Sequence, residues 1–313
     1  MTAAAESKLL TILGPTACGK TSLAVAVAER VGGEIISADS RQVFRGMDIG
    51  TGKDLDEYRL PSGTIACHLV DIRDAGEEYN VYHFQNDFVR AFESILSRGN
   101  RPILCGGTGM YVESIVQGYR LPDAPIDPAF RRSLEAFSDE ELAVRLAGLI
   151  KLHNHTDTET RDRLLRALEI QEFRLKHPEA FTHLPPMRHV VVGLRCDRKV
   201  LVERIGIRLR QRLDNGMVDE VRCLLDSGVP KERLLKYGLE YKHMTRYLTE
   251  PDYSFGQMYE NLYTDIRRFS KRQMTWFRRM ERNGVDIHWI DVQRPLNSKL
   301  EEVMNLYYAS ENA

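Results

Sequence analysis

"LLTILGPTACGKTS", Leu9 to Ser22, decides how this chain is read. An apolar, β-prone run at residues 9–13 leads into Gly14-Pro15-Thr16-Ala17-Cys18-Gly19-Lys20-Thr21, which fits G-x-x-x-x-G-K-[ST], and a helical pattern follows at once. The glycines let backbone N–H groups converge on phosphate oxygens, and the helix N-terminus adds the positive end of its dipole. Lys20 brings a cation to the same oxygens, and the Thr21 hydroxyl suits Mg²⁺. The loop binds a phosphate chain. Its owner is left open: no guanine-reading [NT]-K-x-D occurs, and the candidates for an ATPase-type strand-end acid are Asp71 in "CHLVDI" and Asp291 in "IHWID". Either also fits an ordinary strand-end turn.

Outward from the loop, residues 9–13, 34–38, 68–72 and 102–105 read as short buried strands. "GKTSLAVAVAERVG" and "YHFQNDFVRAFESILSRG" read as helices closing near a glycine. Strand–helix alternation of this kind predicts a parallel sheet covered by helices. After "GYRLPDAPIDP" the pattern changes, and residues 127–176 carry only helical periodicity. "HPEAFTHLPPMRH" reads as a linker, "HVVVGLRCD" as one more central strand, residues 199–283 as helical, and "IHWID" as a late strand. The expected organisation is an α/β core of residues 1–120 and 189–313, with a helical insertion at 121–188.

The chain has 313 residues, 42% hydrophobic and 28% charged, with a net charge of −1. That balance makes no case for nucleic acid or membrane, but its distribution is uneven. Residues 195–212 and 267–282 are strongly basic, and the insertion adds Arg131, Arg132, Arg161, Arg163 and Arg166. The five cysteines are scattered without a C-x-x-C pair, which predicts reduced thiols and no zinc site. No secretion signal or membrane-length apolar run is present, so a cytoplasmic protein without a membrane partner is expected.

"EIISADSRQVFRGMDIGTGK" follows the first helix. Ligands of an open parallel sheet sit outside the carboxyl ends of its strands, which puts Asp39 beside the phosphate loop. A carboxylate next to bound phosphate is unfavourable unless it serves a second substrate, and its natural task there is to accept a proton from an incoming nucleophile. Capping the next turn is the plainer alternative. "RPILCGGTGMYVES" brings Gly106 and Gly107, which allow close backbone approach, and the Thr108 hydroxyl to the same edge.

Taken together, GPTACGKT, SADSRQVFRGMDIGTGK and CGGTGMY resemble the tRNA dimethylallyltransferases (tRNA isopentenyltransferases). So do "LVERIGIRLRQRLDNGMVDEV", "DRLLRALEI" and "RRFSKRQMTWFRR", and the likeness runs in family order from about Leu9 to Trp289. The resemblance implies a P-loop NTPase-like parallel-sheet core with an inserted all-helical tRNA-binding domain. It implies transfer of a dimethylallyl group from dimethylallyl diphosphate to the exocyclic amine of the adenosine just 3′ of the anticodon, in tRNAs reading codons that begin with U. The loop would then hold the leaving diphosphate, with Mg²⁺ at Thr21 as cofactor. Asp39 would act as base; Lys20 and Arg208 would steady the departing charge. By the same likeness Thr108 touches the reacting nucleotide, Asp39-Ser40-Arg41-Gln42 reads the tRNA, and Arg131 with Asp162-Arg163-Leu164-Leu165-Arg166 grips it. A stacked target base must be extruded to react; Trp276 and Phe277 could stack it or simply fill core. A monomer of the bacterial type is expected.

The chain also departs from the family. Cys18 stands where a small serine is common and is open to oxidation. "GLEYKHMTRYL" differs from the more frequent I-G-Y-K-E run, which leaves Glu240 and Lys242 without a role. The competing readings are an adenylate isopentenyltransferase acting on free AMP, ADP or ATP, a P-loop small-molecule or nucleotide kinase, and a non-catalytic nucleotide-dependent RNA-binding protein.

Overall fold

The computed structural model describes residues 7–119, 121–122, 124–150, 158, 160–177 and 184–309. In chain order the elements are β1 (Lys8–Leu13), α1 (Lys20–Val31), β2 (Gly33–Ser37), a hairpin of β3 (Arg59–Leu60) and β4 (Gly63–Thr64), β5 (Cys67–His68), α2 (Val81–Ser97), β6 (Arg101–Gly106) and α3 (Gly109–Val116). There follow α4 (Pro128–Ser133), α5 (Asp139–Leu149) and α6 (Arg161–Lys176). The chain returns through β7 (Arg188–Arg195), α7 (Arg198–Asp214), α8 (Met217–Asp226), α9 (Lys231–Leu234), α10 (Leu239–Thr249), α11 (Phe255–Arg282), β8 (His288–Asp291) and α12 (Leu296–Ala309).

Six strands form one sheet in the order β5-β2-β6-β1-β7-β8, and every pairing is parallel. The central strands are buried on both faces, which is why they read as near-continuous Leu, Ile and Val runs rather than alternating ones. One face carries α2 and α3 with Phe84, Phe88, Phe92 and Tyr111; the other carries α1 and α12 with Leu23, Val27, Val303 and Tyr307. A third apolar cluster joins α7, α8, α10 and α11 around Leu209, Tyr241, Met244 and Leu262. α11 keeps Met258, Leu262, Ile266, Gln273, Phe277 and Met280 buried along one stripe. Its other faces hold the basic residues.

The chain divides into two compact units, Met1–Tyr119 with Leu184–Ala313, and Arg120–His183. The second unit ends before the boundary expected at 188 because Leu184 and Met187 pack against the first unit's core and Arg188 already opens β7. Within the helical unit, Leu134, Leu142, Leu146, Leu164, Ala167 and Leu168 form the core. Side chains of Asp127, Ser138 and Thr160 cap its three helices. Residues 178–183 of the expected linker lie outside the described residues.

One strand is much shorter than its sequence suggests. The run at residues 68–72 pairs only as far as His68, because Leu69 and Asp71 adopt left-handed conformations, φ 62° and 56°. Among the described residues no helix is long and apolar enough to cross a membrane.

Candidate active site

Parallel register brings the chemistry together. Leu13 pairs with Gly106 and Ser37 with Cys105, so β1, β2 and β6 end level with one another. Their outgoing loops carry Gly14–Thr21, Asp39 and Gly106-Gly107-Thr108 to one edge. A cleft there is lined by Thr16, Lys20, Thr21, Asp39, Arg41, Gly107, Arg208 and Gln273, with Gln42, Asp54 and Phe269 at its sides. α7 delivers Arg208 and α11 delivers Gln273.

The phosphate loop turns through Ala17 at φ 62° and Gly19 at φ 80°, and α1 begins at Lys20. Lys20 Nζ donates back to the Pro15 carbonyl at 2.8 Å, and Arg208 Nη2 donates to Thr16 Oγ1 at 2.5 Å. Gln273 fastens the loop from the side: the Thr16 amide donates to Oε1 at 2.9 Å, and Nε2 donates to the Gly107 carbonyl at 2.8 Å. Gly106 has to be glycine, since a Cβ there would sit 2.4 Å from the Ala38 carbonyl oxygen. Cys18, expected to be open to oxidation, is 1% exposed and packs against Gly14 beneath the loop.

Arg208 is half-buried, and its loss of hydration together with the neighbouring Arg212 pushes its pKa down to about 10. It still carries its charge at neutral pH, so the cleft holds a poorly solvated cation that an anion would relieve. Beside it, Asp39 Oδ1 accepts the Arg41 amide at 3.0 Å. The Thr108 hydroxyl accepts the Ser40 amide at 3.1 Å, which ties α3 to the loop after β2. Arg41 lies between Asp39 (Nε to Oδ1, 3.6 Å) and Glu240 (Nη1 to Oε2, 2.6 Å). Burial opposes its charge, but the two carboxylates prevail and raise its pKa.

Several sequence expectations need correction. Gln42 borders the cleft with its amide already engaged within the chain: it accepts from the Ser37 hydroxyl at 2.7 Å and donates to the Gly52 carbonyl at 2.9 Å. Asp71 is no strand-end ATPase acid but a partner of Lys53, and Asp291 accepts the Gln293 amide in a turn. Phe277 is wholly buried, and Trp276 lies over Gly109 with the Arg279 guanidinium 4.0 Å from its ring centroid. Both fill core. Leu164 is likewise interior to the helical unit, 1% exposed. Arg131 and Arg166 converge on the buried Glu169, at 2.7 and 3.3 Å, while Asp162 and Arg163 face outward and Leu165 is half-buried.

Reading single residues missed what anchors the loop over 40–54. Lys53 is 2% exposed, with Nζ donating to the Phe44 carbonyl (2.7 Å), Asp48 (2.5 Å) and Asp71 (2.5 Å). Glu220 accepts three successive amides, of Asp48, Ile49 and Gly50, at 2.7, 2.6 and 3.0 Å, and the Tyr241 hydroxyl at 2.7 Å. The available signals were "DIGTGK" and "GMVDEV", whose Lys and Glu stand out only as motif members.

Among the described residues no three acidic, His or Cys side chains gather into a ready-made metal cage. The donors fit Mg²⁺ all the same: it binds beside phosphates through one or two protein oxygens and water, and Thr21 shares the cleft with Asp39 and Asp54.

Fold and cleft define a P-loop α/β protein built to hold a phosphate chain against a carboxylate. The chain belongs to the IPP transferase family, whose model matches residues 42–280; a model described as isopentenyl transferase matches residues 7–62. It is 53% identical over 303 residues to tRNA dimethylallyltransferase 1 of Porphyromonas gingivalis, covering 96% of this chain and 100% of that one. With tRNA dimethylallyltransferase 1 of Parabacteroides distasonis it shares 48% over 299 residues, 96% and 97% of the two chains. The solved tRNA isopentenylpyrophosphate transferase of Bacillus halodurans is 33% identical and superposes with a TM-score of 0.69 over 97% of this chain and 96% of that one. A eukaryotic dimethylallyltransferase crystallised acting on tRNA has the same fold, with a TM-score of 0.66 at 21% identity over 91% of this chain and 74% of that one.

Proposed function

We propose that this chain transfers a dimethylallyl group from dimethylallyl diphosphate to the exocyclic amine of the adenosine 3′-adjacent to the anticodon, in tRNAs reading codons that begin with U. The observation that carries the reading is the single cleft in which Asp39 faces the phosphate loop and Arg208. In this reading the adenine amine attacks the allylic carbon, the carbon–oxygen bond to the diphosphate breaks, and its electron pair leaves with the diphosphate. Asp39 takes the amine proton, which matters because the amine lone pair is delocalised into the ring. Lys20, Arg208 and the loop amides meet the growing negative charge. Mg²⁺ held at Thr21 would neutralise part of that charge when bound.

Beside the cleft, a cavity of about 430 Å³ shares Arg41 and Phe269 with it and adds Phe44, Tyr79 and Tyr237 as aromatic walls. Aromatic walls suit an unstacked base, and this cavity is the approach we assign to the extruded adenosine, past Ser40 and Thr108. The helical unit, with Arg131, Asp162, Arg163 and Arg166, is assigned the grip on the anticodon stem. The free cysteines agree with work in a reducing cytoplasm.

The test is incubation with radiolabelled dimethylallyl diphosphate, Mg²⁺ and unmodified tRNA, beside tubes holding AMP or ATP. Label in tRNA alone is expected. Label in the free nucleotide would instead make the protein an adenylate isopentenyltransferase, and no label in either would return the loop to ATP. Asp39→Ala should lower turnover at least about a hundredfold with tRNA binding largely intact; near-normal turnover would remove Asp39 from the base role.

A further inference from the structure

We propose that Glu240 is a positioning residue for Asp39: it draws the Arg41 guanidinium aside and so leaves a carboxylate oxygen of Asp39 free to accept a proton. The proposal rests on Asp39 being the base.

An arginine two residues from a catalytic carboxylate threatens it. Arginine and carboxylate pair most strongly when two N–H groups meet both oxygens, and a carboxylate so held is a poor proton acceptor. Here that pairing is not made. The Arg41 amide and Nε both lie toward Oδ1 of Asp39, at 3.0 and 3.6 Å, so the nearest approaches fall on one oxygen. The guanidinium is turned the other way, with Nη1 on Glu240 Oε2 at 2.6 Å.

The Glu240 side chain is 7% exposed and that of Arg41 18%, so the pair is screened little by water. Glu240 stands in the first turn of α10, 6% exposed as a whole residue, and lines a small pocket with Ile205, Leu209 and Ile266. It is also the point at which "GLEYKH" departs from the family's usual run, so the family pattern assigns it nothing. Arg208 and Arg212 border the same buried pocket as Glu240, and an effect exerted through either of them would not depend on Arg41.

The experiment measures kcat and tRNA KM at steady state with saturating donor. Glu240→Gln is expected to lower kcat about tenfold while tRNA KM stays within about twofold, because Arg41 then closes on Asp39. The double variant Arg41→Gln/Glu240→Gln should recover kcat to within about threefold of Arg41→Gln alone, a coupling that mere loss of packing cannot produce. Glu240→Asp, which keeps the charge, should fall between Glu240→Gln and the unaltered enzyme. A double variant as slow as Glu240→Gln, or a Glu240→Gln defect confined to KM, overturns the proposal. Thermal unfolding of each variant separates a folding defect from a rate defect. Failure of the base reading looks different: Asp39→Asn would keep its turnover whatever Glu240 does.

Discussion

Gln273 illustrates how one residue can serve a site without touching the reaction. Its amide uses an acceptor on the Thr16 N–H and a donor on the Gly107 carbonyl, and so holds the phosphate loop against the end of β6. A glutamate of the same shape could make only the first bond and would set a negative charge beside the phosphates. Gln273→Glu is therefore expected to weaken inorganic pyrophosphate binding about a hundredfold, read by calorimetry. The unfolding midpoint should move little; unchanged pyrophosphate affinity would mean that the loop holds its shape without this bridge. Arg208→Gln removes the cation that the cleft holds half-buried. Its expected loss is about a hundredfold or more in the rate of the chemical step, the usual scale for one stabiliser of developing charge, measured as single-turnover prenylation.

The loop over 40–54, between β2 and a single 3-10 turn at Leu55–Tyr58, behaves as an element without being a helix or a strand. Lys53 bonds it inward and Glu220 bonds it from α8. Lys53→Met should destabilise the protein by about 2–3 kcal/mol, the low end for a broken buried pair, because Asp48 and Asp71 remain 56% and 38% exposed and can turn to water. Urea unfolding reads the change. A loss below about 0.5 kcal/mol would show that the loop is held by Glu220 and packing instead.

For the molecule as a whole, pH acts through Glu34, at the start of β2. Hydrogen bonds from Arg98 outweigh the cost of burial, and those of Asn100 and His68 add to them; together they lower its pKa from 4.5 to about 2. A lowered carboxylate pKa stabilises the fold above the unfolded value, so this contribution is complete above about pH 5 and lost as pH falls from 4.5 toward 2. Arg98 is 43% exposed, so solvent screening reduces the effect to about 1 kcal/mol. Glu34→Gln should be less stable than the unaltered chain at pH 7 and indistinguishable from it near pH 2, followed by circular dichroism. tRNA affinity should depend steeply on salt even though the net charge is −1, since phosphates meet local basic surfaces and not the molecular average. A grip on about six phosphates predicts a loss of about a thousandfold between about 50 and 200 mM salt.

The phosphate loop, the parallel sheet and Asp39 at the end of its second strand were legible in the sequence, because each depends on local order: a run of apolar residues, a turn and a helix start. The level ends of β1, β2 and β6 follow from that pattern, since parallel strands joined by helices place their outgoing loops on one side. Tertiary structure alone decided which side chains those loops present. The Gln42 amide bonded to Ser37 and Gly52, the strand at residues 68–72 stopped after His68, and Leu164 became core. Glu240 met Arg41 across 199 positions of sequence. A pairing of that kind is fixed by how α10 packs beside the loop after β2, and no local spacing encodes it.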